Sequence, residues 1–394
     1  MFGVDYLLAP YGVEDYLAKT WGQRAVHIRG EADKFGELFG WQDINHLLSH
    51  GRLAYPAVSL VLEKKTLASE ALAQLDHWLA QGATLVLNQI QELDPVVDRF
   101  ASALANDLNT GVGVNCYASW PSKQGFDNHY DLHDVFVVQI AGSKTWKVFE
   151  PTRRWPIERE KGLIKLDPPD AEPYLECSLT EGDVLYIPRG HWHYALAETP
   201  SIHLTVGPKP RTGVDFLLWL ADHVMRDDES FRKSFPLIRA HALGGDRPEL
   251  ELASHWRELT DRLRDMLAGP DLLEGFLRAG VVANPIRRSY QLPELVTLRE
   301  QVTPDTRFIL APHQKALVVE SGSPSTTVIM RGHVLNFENV PEGLVRAFFE
   351  RGGEVRGADL MAACPELGEE QVRGFLLQLF ERGVLQLADE ASGT

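Results

Sequence analysis

Between Gly111 and Gly207 the chain passes through six short β-rich segments, GVGVNCYASW, DVFVVQI, TWKVFEP, GDVLYIP, HWHYALA and SIHLTVG, separated by turn residues. Short apolar runs at such close spacing argue for an all-β barrel or sandwich. Just before the second run, in FDNHYDLHD, four chemically demanding residues crowd into six positions: His129, Asp131, His133 and Asp134. Imidazoles and carboxylates do not help a core to form, because each must be desolvated and then satisfied. The cluster is therefore either a solvated turn or a binding site.

The flanking regions read differently. Before about residue 110, ASEALAQLDHWLAQG reads as an amphipathic helix, ATLVLNQI as a strand, and DPVVDRFASALANDLN as a helix with Asp94 near its start. From about Gly213 to Val282, VDFLLWLADHVM, the stretch through HWRELTDRLRDML, and PDLLEGFLRAG place apolar residues three and four apart, as helices do. From about Leu295, the strands RFILAP, KALVVES, TTVIMRG and HVLNF precede three short helices, EGLVRAFFERG, GADLMAAC and EEQVRGFLLQLFERG, and a final VLQL strand. Helices followed by a small strand suggest a winged-helix shape. A length of 394 residues fits two or three domains at roughly 150 residues each, and the expected division is 1–212, 213–290 and 291–394.

Apolar content of 44% and charged content of 24% are those of a globular chain. No uninterrupted apolar stretch reaches membrane-spanning length. The opening MFGVDYLLAPYGVEDYLAKTW lacks the basic start of a secretory signal. Cys116, Cys177 and Cys364 are odd in number and widely spaced, which offers neither a disulfide framework nor a cysteine zinc site and fits a reducing cytoplasm. A net charge of −16 argues against a general nucleic-acid binder and is compatible with a basic partner. The tail repeats the point, with eleven acids against five bases from Glu338 onward. The glycines of GVGVNCY precede no phosphate-loop helix, so that segment is a strand and not a nucleotide site.

In an extended segment alternate side chains share a face, so His129 and Asp131 point the same way. An H-x-D pair supplies two ligands of a facial metal triad and needs a distant third. GDVLYIPRGHWHYALAE, about sixty residues on, supplies His191 and His193 on one face, and spacing alone leaves both open. The His129–His133 spacing of a helical zinc site is discarded, because VFVVQI favours a strand and no glutamate follows the first His.

These residues resemble the JmjC/cupin-type 2-oxoglutarate oxygenases, and among them the ribosomal oxygenases that hydroxylate ribosomal proteins. That family's barrel motif is met by His129, Asp131, VFVVQI with Gln139, then Gly142, Lys144, Trp146 and Pro151. Its distal motif, G-D-x-L-Y-x-P-R-G-x-x-H-x-A, matches Gly182 through Ala195 and selects His193, with His191 at a variable position. The resemblance implies an α+β chain: a double-stranded β-helix (jelly-roll) barrel, a helical dimerisation domain and a C-terminal winged helix. It implies Fe(II) held by His129, Asp131 and His193, with His133 and Asp134 as a solvated flank. Three iron positions then remain for 2-oxoglutarate and O2. Lys144 resembles the lysine that receives the co-substrate's distal carboxylate, with Lys147 on the opposite strand face. Asn115 and Thr205 resemble further co-substrate contacts, while Tyr117 and Trp192 stand as either site or core aromatics.

The implied activity is hydroxylation of an Arg or His side chain of a basic ribosomal protein by a cytoplasmic homodimer, without direct contact to nucleic acid or membrane. Three alternatives share the scaffold: a hydroxylase tailoring a peptide or small-molecule natural product, an N-methyl demethylase, and a metal-containing scaffold without turnover. Intact ligands and Lys144 count against the last.

Overall fold

The strand Val135–Ala141 explains why VFVVQI is apolar at nearly every position. Phe136 and Val138 face one core, built with Tyr16, Phe100 and Leu204, while Val135 and Val137 face a second, built with Trp146, Val148 and Leu185. A strand covered on both faces loses the alternation that marks a half-exposed one. In this computed structural model, residues 2–50, 53–121, 125–236, 250–284, 290–311, 316–322, 325–338, 340–351, 353–365 and 368–388 are described. The chain divides into two units, Met1–Pro210 and Arg211–Thr394.

The first unit holds eleven strands among its described residues: β1 (Val26–Ile28), β2 (Val58–Leu62), β3 (Lys65–Thr66), β4 (Thr84–Leu87), β5 (Gly111–Ser119), β6 (Val135–Ala141), β7 (Lys144–Phe149), β8 (Leu175–Leu179), β9 (Val184–Ile187), β10 (Trp192–Ala197) and β11 (Ser201–Lys209). They form an eight-stranded sheet in the order β1-β9-β6-β11-β5-β4-β2-β3 and a three-stranded sheet in the order β10-β7-β8. Every pairing is antiparallel. The helix Pro95–Asp107 starts where Asp94 accepts hydrogen bonds from the amides of Val96 and Val97, and Pro95 takes the first position, whose N–H has no helical partner. It contributes Val97, Phe100 and Leu104 to the first core.

All six expected strands of this region form. LECSL adds one that was not expected, β8, whose alternating exposed residues blur its pattern. ASEALAQLDHWLAQG forms a 3-10 turn, Ser69–Gln74, before a short helix, Leu75–Ala80, in place of one continuous helix. The stretch from His129 to Asp134 is not a strand, and only His129 pairs, through one isolated bridge to His193.

In the second unit the helices Gly213–His223, Leu250–Leu267 and Leu272–Val282 appear where apolar spacing places them. The first is fixed by reciprocal bonds between Thr212 and Asp215. The expected helical region at 237–249 lies outside the described residues. Beyond it come β12 (Arg307–Leu310), β13 (Ala316–Gly322), β14 (Ser325–Met330), β15 (His333–Glu338), β16 (Glu354–Arg356) and β17 (Leu385–Leu387). They make two sheets, β16-β12-β17 and β13-β14-β15. The helices Glu342–Arg351, Gly357–Ala363 and Glu369–Glu381 join them around Phe308, Phe337, Phe348, Phe375 and Leu379. No helix among the described residues is long and apolar enough to cross a membrane.

Candidate active site

The bridge that interrupts the His129–Asp134 loop brings two imidazoles together. His129 N–H donates to His193 O at 3.1 Å, and His193 N–H donates to His129 O at 2.7 Å. Their ring centroids are 4.5 Å apart. Asp131 follows two residues later, its carbonyl accepting from Gly190 N–H at 2.9 Å. Its Oδ2 lies 3.5 Å from His193 Nε2. One potential ligand atom from each of His129, Asp131 and His193 falls within 4.8 Å of the other two.

Ring orientation follows from the backbone. His129 Nδ1 donates to Asp127 O at 2.8 Å, and His193 Nδ1 donates to His191 O at 2.9 Å. A carbonyl only accepts, so both Nδ1 atoms carry protons and both Nε2 lone pairs are left for a ligand. Burial and the neighbouring His129 ring push the His193 pKa below the usual histidine value, which favours the neutral form that metals require.

The three residues open onto a cavity of about 140 Å³ between the sheets, whose wall includes Asn115, Tyr117, Lys144, Trp146, His203 and Thr205. Asn115 and Thr205 stand opposite each other in the β5–β11 pair, and Asn115 Oδ1 accepts from Gln89 N–H at 2.9 Å. Lys144 opens β7 and is only 6% exposed. Its Nζ donates to Ser119 Oγ at 3.0 Å and lies 3.4 Å from His203 Nδ1. Burial pushes its pKa down to about 7. The same burial, with the Lys144 charge added, holds His203 well below the usual histidine value. Lys147 points away from the cavity and pairs with Glu176 at 3.2 Å, as strand parity requires.

His191, which spacing alone left open, is not part of the group, because its Nδ1 is bound to Tyr174 OH at 2.7 Å. Trp192 is absent from the cavity wall and donates to Thr152 Oγ1 at 2.9 Å, whereas Tyr117 does line the cavity. Asp134 is not a solvated flank. It is 3% exposed and accepts from Tyr186 OH at 2.6 Å, and burial raises its pKa against that bond. His133 lines the cavity wall. Ser119 and His203 escape the sequence reading, although strand alternation carries the signal: Asn115, Tyr117 and Ser119 share one face of β5, and His203 and Thr205 one face of β11.

Comparison with known proteins places this cavity. Residues 86–216 match the JmjC domain family. Ribosomal oxygenase 1 of Rattus norvegicus is 31% identical over 254 residues, covering 59% of this chain and 42% of that protein. The bifunctional lysine-specific demethylase and histidyl-hydroxylase NO66 of Dictyostelium discoideum is 25% identical over 348 residues, covering 80% of this chain and 67% of its own length. This chain thus spans about two fifths of the rat protein's length. The structure of YcfD, a ribosomal oxygenase from Escherichia coli in complex with cobalt and 2-oxoglutarate, matches with a TM-score of 0.62 at 16% identity, covering 96% of this chain and 99% of that one. Residues 86–216 are accordingly the part of this chain that matches the JmjC domain family, in a chain of JmjC/cupin-like fold related in sequence to ribosomal oxygenases, and that matched stretch encloses all three residues of the His–Asp–His group.

Proposed function

We propose that this protein is an Fe(II)- and 2-oxoglutarate-dependent oxygenase that hydroxylates a side chain of a ribosomal protein. The observation that carries this reading is the His129–Asp131–His193 group with both Nε2 atoms unprotonated, facing a cavity whose wall carries a buried lysine. Two imidazoles and one carboxylate are a donor set suited to Fe(II) with positions left open. When bound, the iron and 2-oxoglutarate supply the oxidising chemistry, coupling decarboxylation of the co-substrate to succinate and CO2 with transfer of one oxygen atom of O2 to a C–H bond.

The chain's own residues bind and orient. His129, Asp131 and His193 would hold the metal. No carboxylate among the described residues pairs with Lys144, so the distal carboxylate of 2-oxoglutarate would supply its missing counter-ion. Asn115 and Thr205 would contact the same co-substrate, and Tyr117 and Trp146 would keep water from it.

Relatives named ribosomal oxygenases, together with the net charge of −16, support a basic ribosomal protein as substrate, with Arg or His as the target side chain. The cytoplasm, where such a substrate is made, is the proposed compartment, without direct nucleic-acid binding. One observation favours a second reading: the Dictyostelium relative's name includes a lysine-specific demethylase activity. We read 213–290 as a homodimerisation region and 291–394 as a winged-helix-like module. Exposed Leu217, Leu273 and Leu277 support the former.

The test is intact mass of ribosomal proteins from a strain lacking the gene, incubated with enzyme, Fe(II), 2-oxoglutarate and O2. Gain of one oxygen on a single protein, absent with His193→Ala, is the expected result. Loss of a methyl mass favours the demethylase. Consumption of 2-oxoglutarate with no mass change removes the ribosomal substrate and leaves natural-product tailoring.

A further inference from the structure

Where the Pro188–His191 turn meets the loop after β7, a second pocket is lined by Arg24, Glu150, Arg154, Trp155, Arg189 and His191, sharing no residue with the His–Asp–His cavity. Three guanidiniums converge here in a chain of net charge −16. Their one acidic companion on the wall, Glu150, reaches Arg24 only at 4.0 Å, and both side chains are more than half exposed. Like charges gathered at one place repel unless an anion joins them.

The pocket is organised by bonds within the protein. His191 is 5% exposed. Ala25 N–H donates to the Tyr174 hydroxyl at 3.0 Å, and that hydroxyl is hydrogen-bonded to His191 Nδ1 at 2.7 Å. With Nδ1 engaged by the phenol, Nε2 is the nitrogen left for a ligand. The Arg24 guanidinium lies 4.4 Å over the ring of the same tyrosine. Trp155 adopts a φ of 51°, in the left-handed region that a bulky residue rarely occupies. Its indole N–H is tied to Gly22 O at 3.1 Å, while more than half of the residue stays exposed beside the arginines.

Guanidinium N–H groups are donors only, and those of Arg24, Arg154 and Arg189 come from three separate segments. A planar carboxylate satisfies one guanidinium fork, whereas a tetrahedral oxyanion presents acceptors in several directions. We propose that this pocket binds a phosphate group, free or as the phosphoryl end of a small ester, held by Arg24, Arg154 and His191 Nε2 with Trp155 as its flat wall. The site adjoins the turn whose Gly190 N–H holds Asp131 O and whose His191 O orients His193, each at 2.9 Å.

Calorimetric titration of the full chain with inorganic phosphate and, separately, with AMP tests this at low, fixed ionic strength. Both ligands bind, and Arg154→Ala weakens them about tenfold or more, while Arg154→Lys retains part of the affinity. Equal affinity for the two assigns free phosphate as the occupant. Tighter binding of AMP, weakened by Trp155→Ala, assigns an ester whose ring rests on the indole. An unchanged thermal midpoint establishes that Arg154→Ala is folded, and Arg24→Gln serves as the second variant if it is not. Absence of binding to the wild type, or affinities unchanged in both arginine variants, overturns the proposal.

Discussion

His129 and His193 have their metal-ready tautomer imposed by two carbonyls, Asp127 O and His191 O, so the site is oriented before any ligand arrives. Replacing His129, Asp131 or His193 by alanine is expected to abolish both metal binding and turnover. Lys144→Ala should keep the metal and raise the 2-oxoglutarate concentration needed by about tenfold to a hundredfold, the value of a lost charge-assisted hydrogen bond. Metal titration and the co-substrate dependence of turnover separate the two classes. Lys144 also sets a pH dependence. Burial lowers its pKa from 10.5 to about 7, so between these values the unfolded chain binds a proton that the ligand-free folded protein does not. Stability from this group therefore rises with pH across that window. A carboxylate ligand needs the ammonium, so binding takes up a proton, and co-substrate affinity falls by up to about tenfold per pH unit above pH 7. Calorimetry at pH 8 in buffers of different ionisation enthalpy should register that uptake, and none would contradict the role. His129 and Asp131 were legible because imidazoles and carboxylates are conspicuous beside an apolar run, whereas spacing left His191 and His193 open and the family resemblance alone selected His193. Asp134 was misread because its partner, Tyr186, lies 52 residues away, and His203 is one polar residue in a strand with no spacing to mark it.

At the level of elements, the tight turn at Gly142, where the chain leaves β6 of one sheet for β7 of the other, carries Lys144 into the cavity. There φ is +66°, and an added Cβ would sit 2.1 Å from Pro200 O. Gly142→Ala is expected to cost about 2–3 kcal/mol in urea unfolding and to weaken 2-oxoglutarate binding through Lys144. A variant as stable as wild type would show that the turn is not fixed by this approach. Most strands were readable because they are apolar on one or both faces. LECSL was not, since only Leu179 of β8 is fully buried. The His129 loop was not either, because a single bridge has no periodicity.

For the molecule as a whole, the net charge suits the basic substrate proposed. The net charge of −16 gives a basic substrate a field to follow, and its association should slow as salt screens that field. The proposed homodimer predicts light scattering at twice the mass of one chain, with Leu217→Glu, Leu273→Glu shifting it to the monomer. A wild-type monomer would remove the dimer. The barrel was legible from its strand spacing, whereas oligomeric state was not, because exposed leucines serve a core and an interface with the same pattern.

The most direct measurement is succinate release from 2-oxoglutarate by the purified chain with and without Fe(II). The account predicts release that requires Fe(II) and O2, vanishes in His129→Ala and His193→Ala, and persists in Lys144→Ala only at raised 2-oxoglutarate. Release unchanged in the two histidine variants, or none from the iron-loaded wild type supplied with ribosomal proteins, would contradict it.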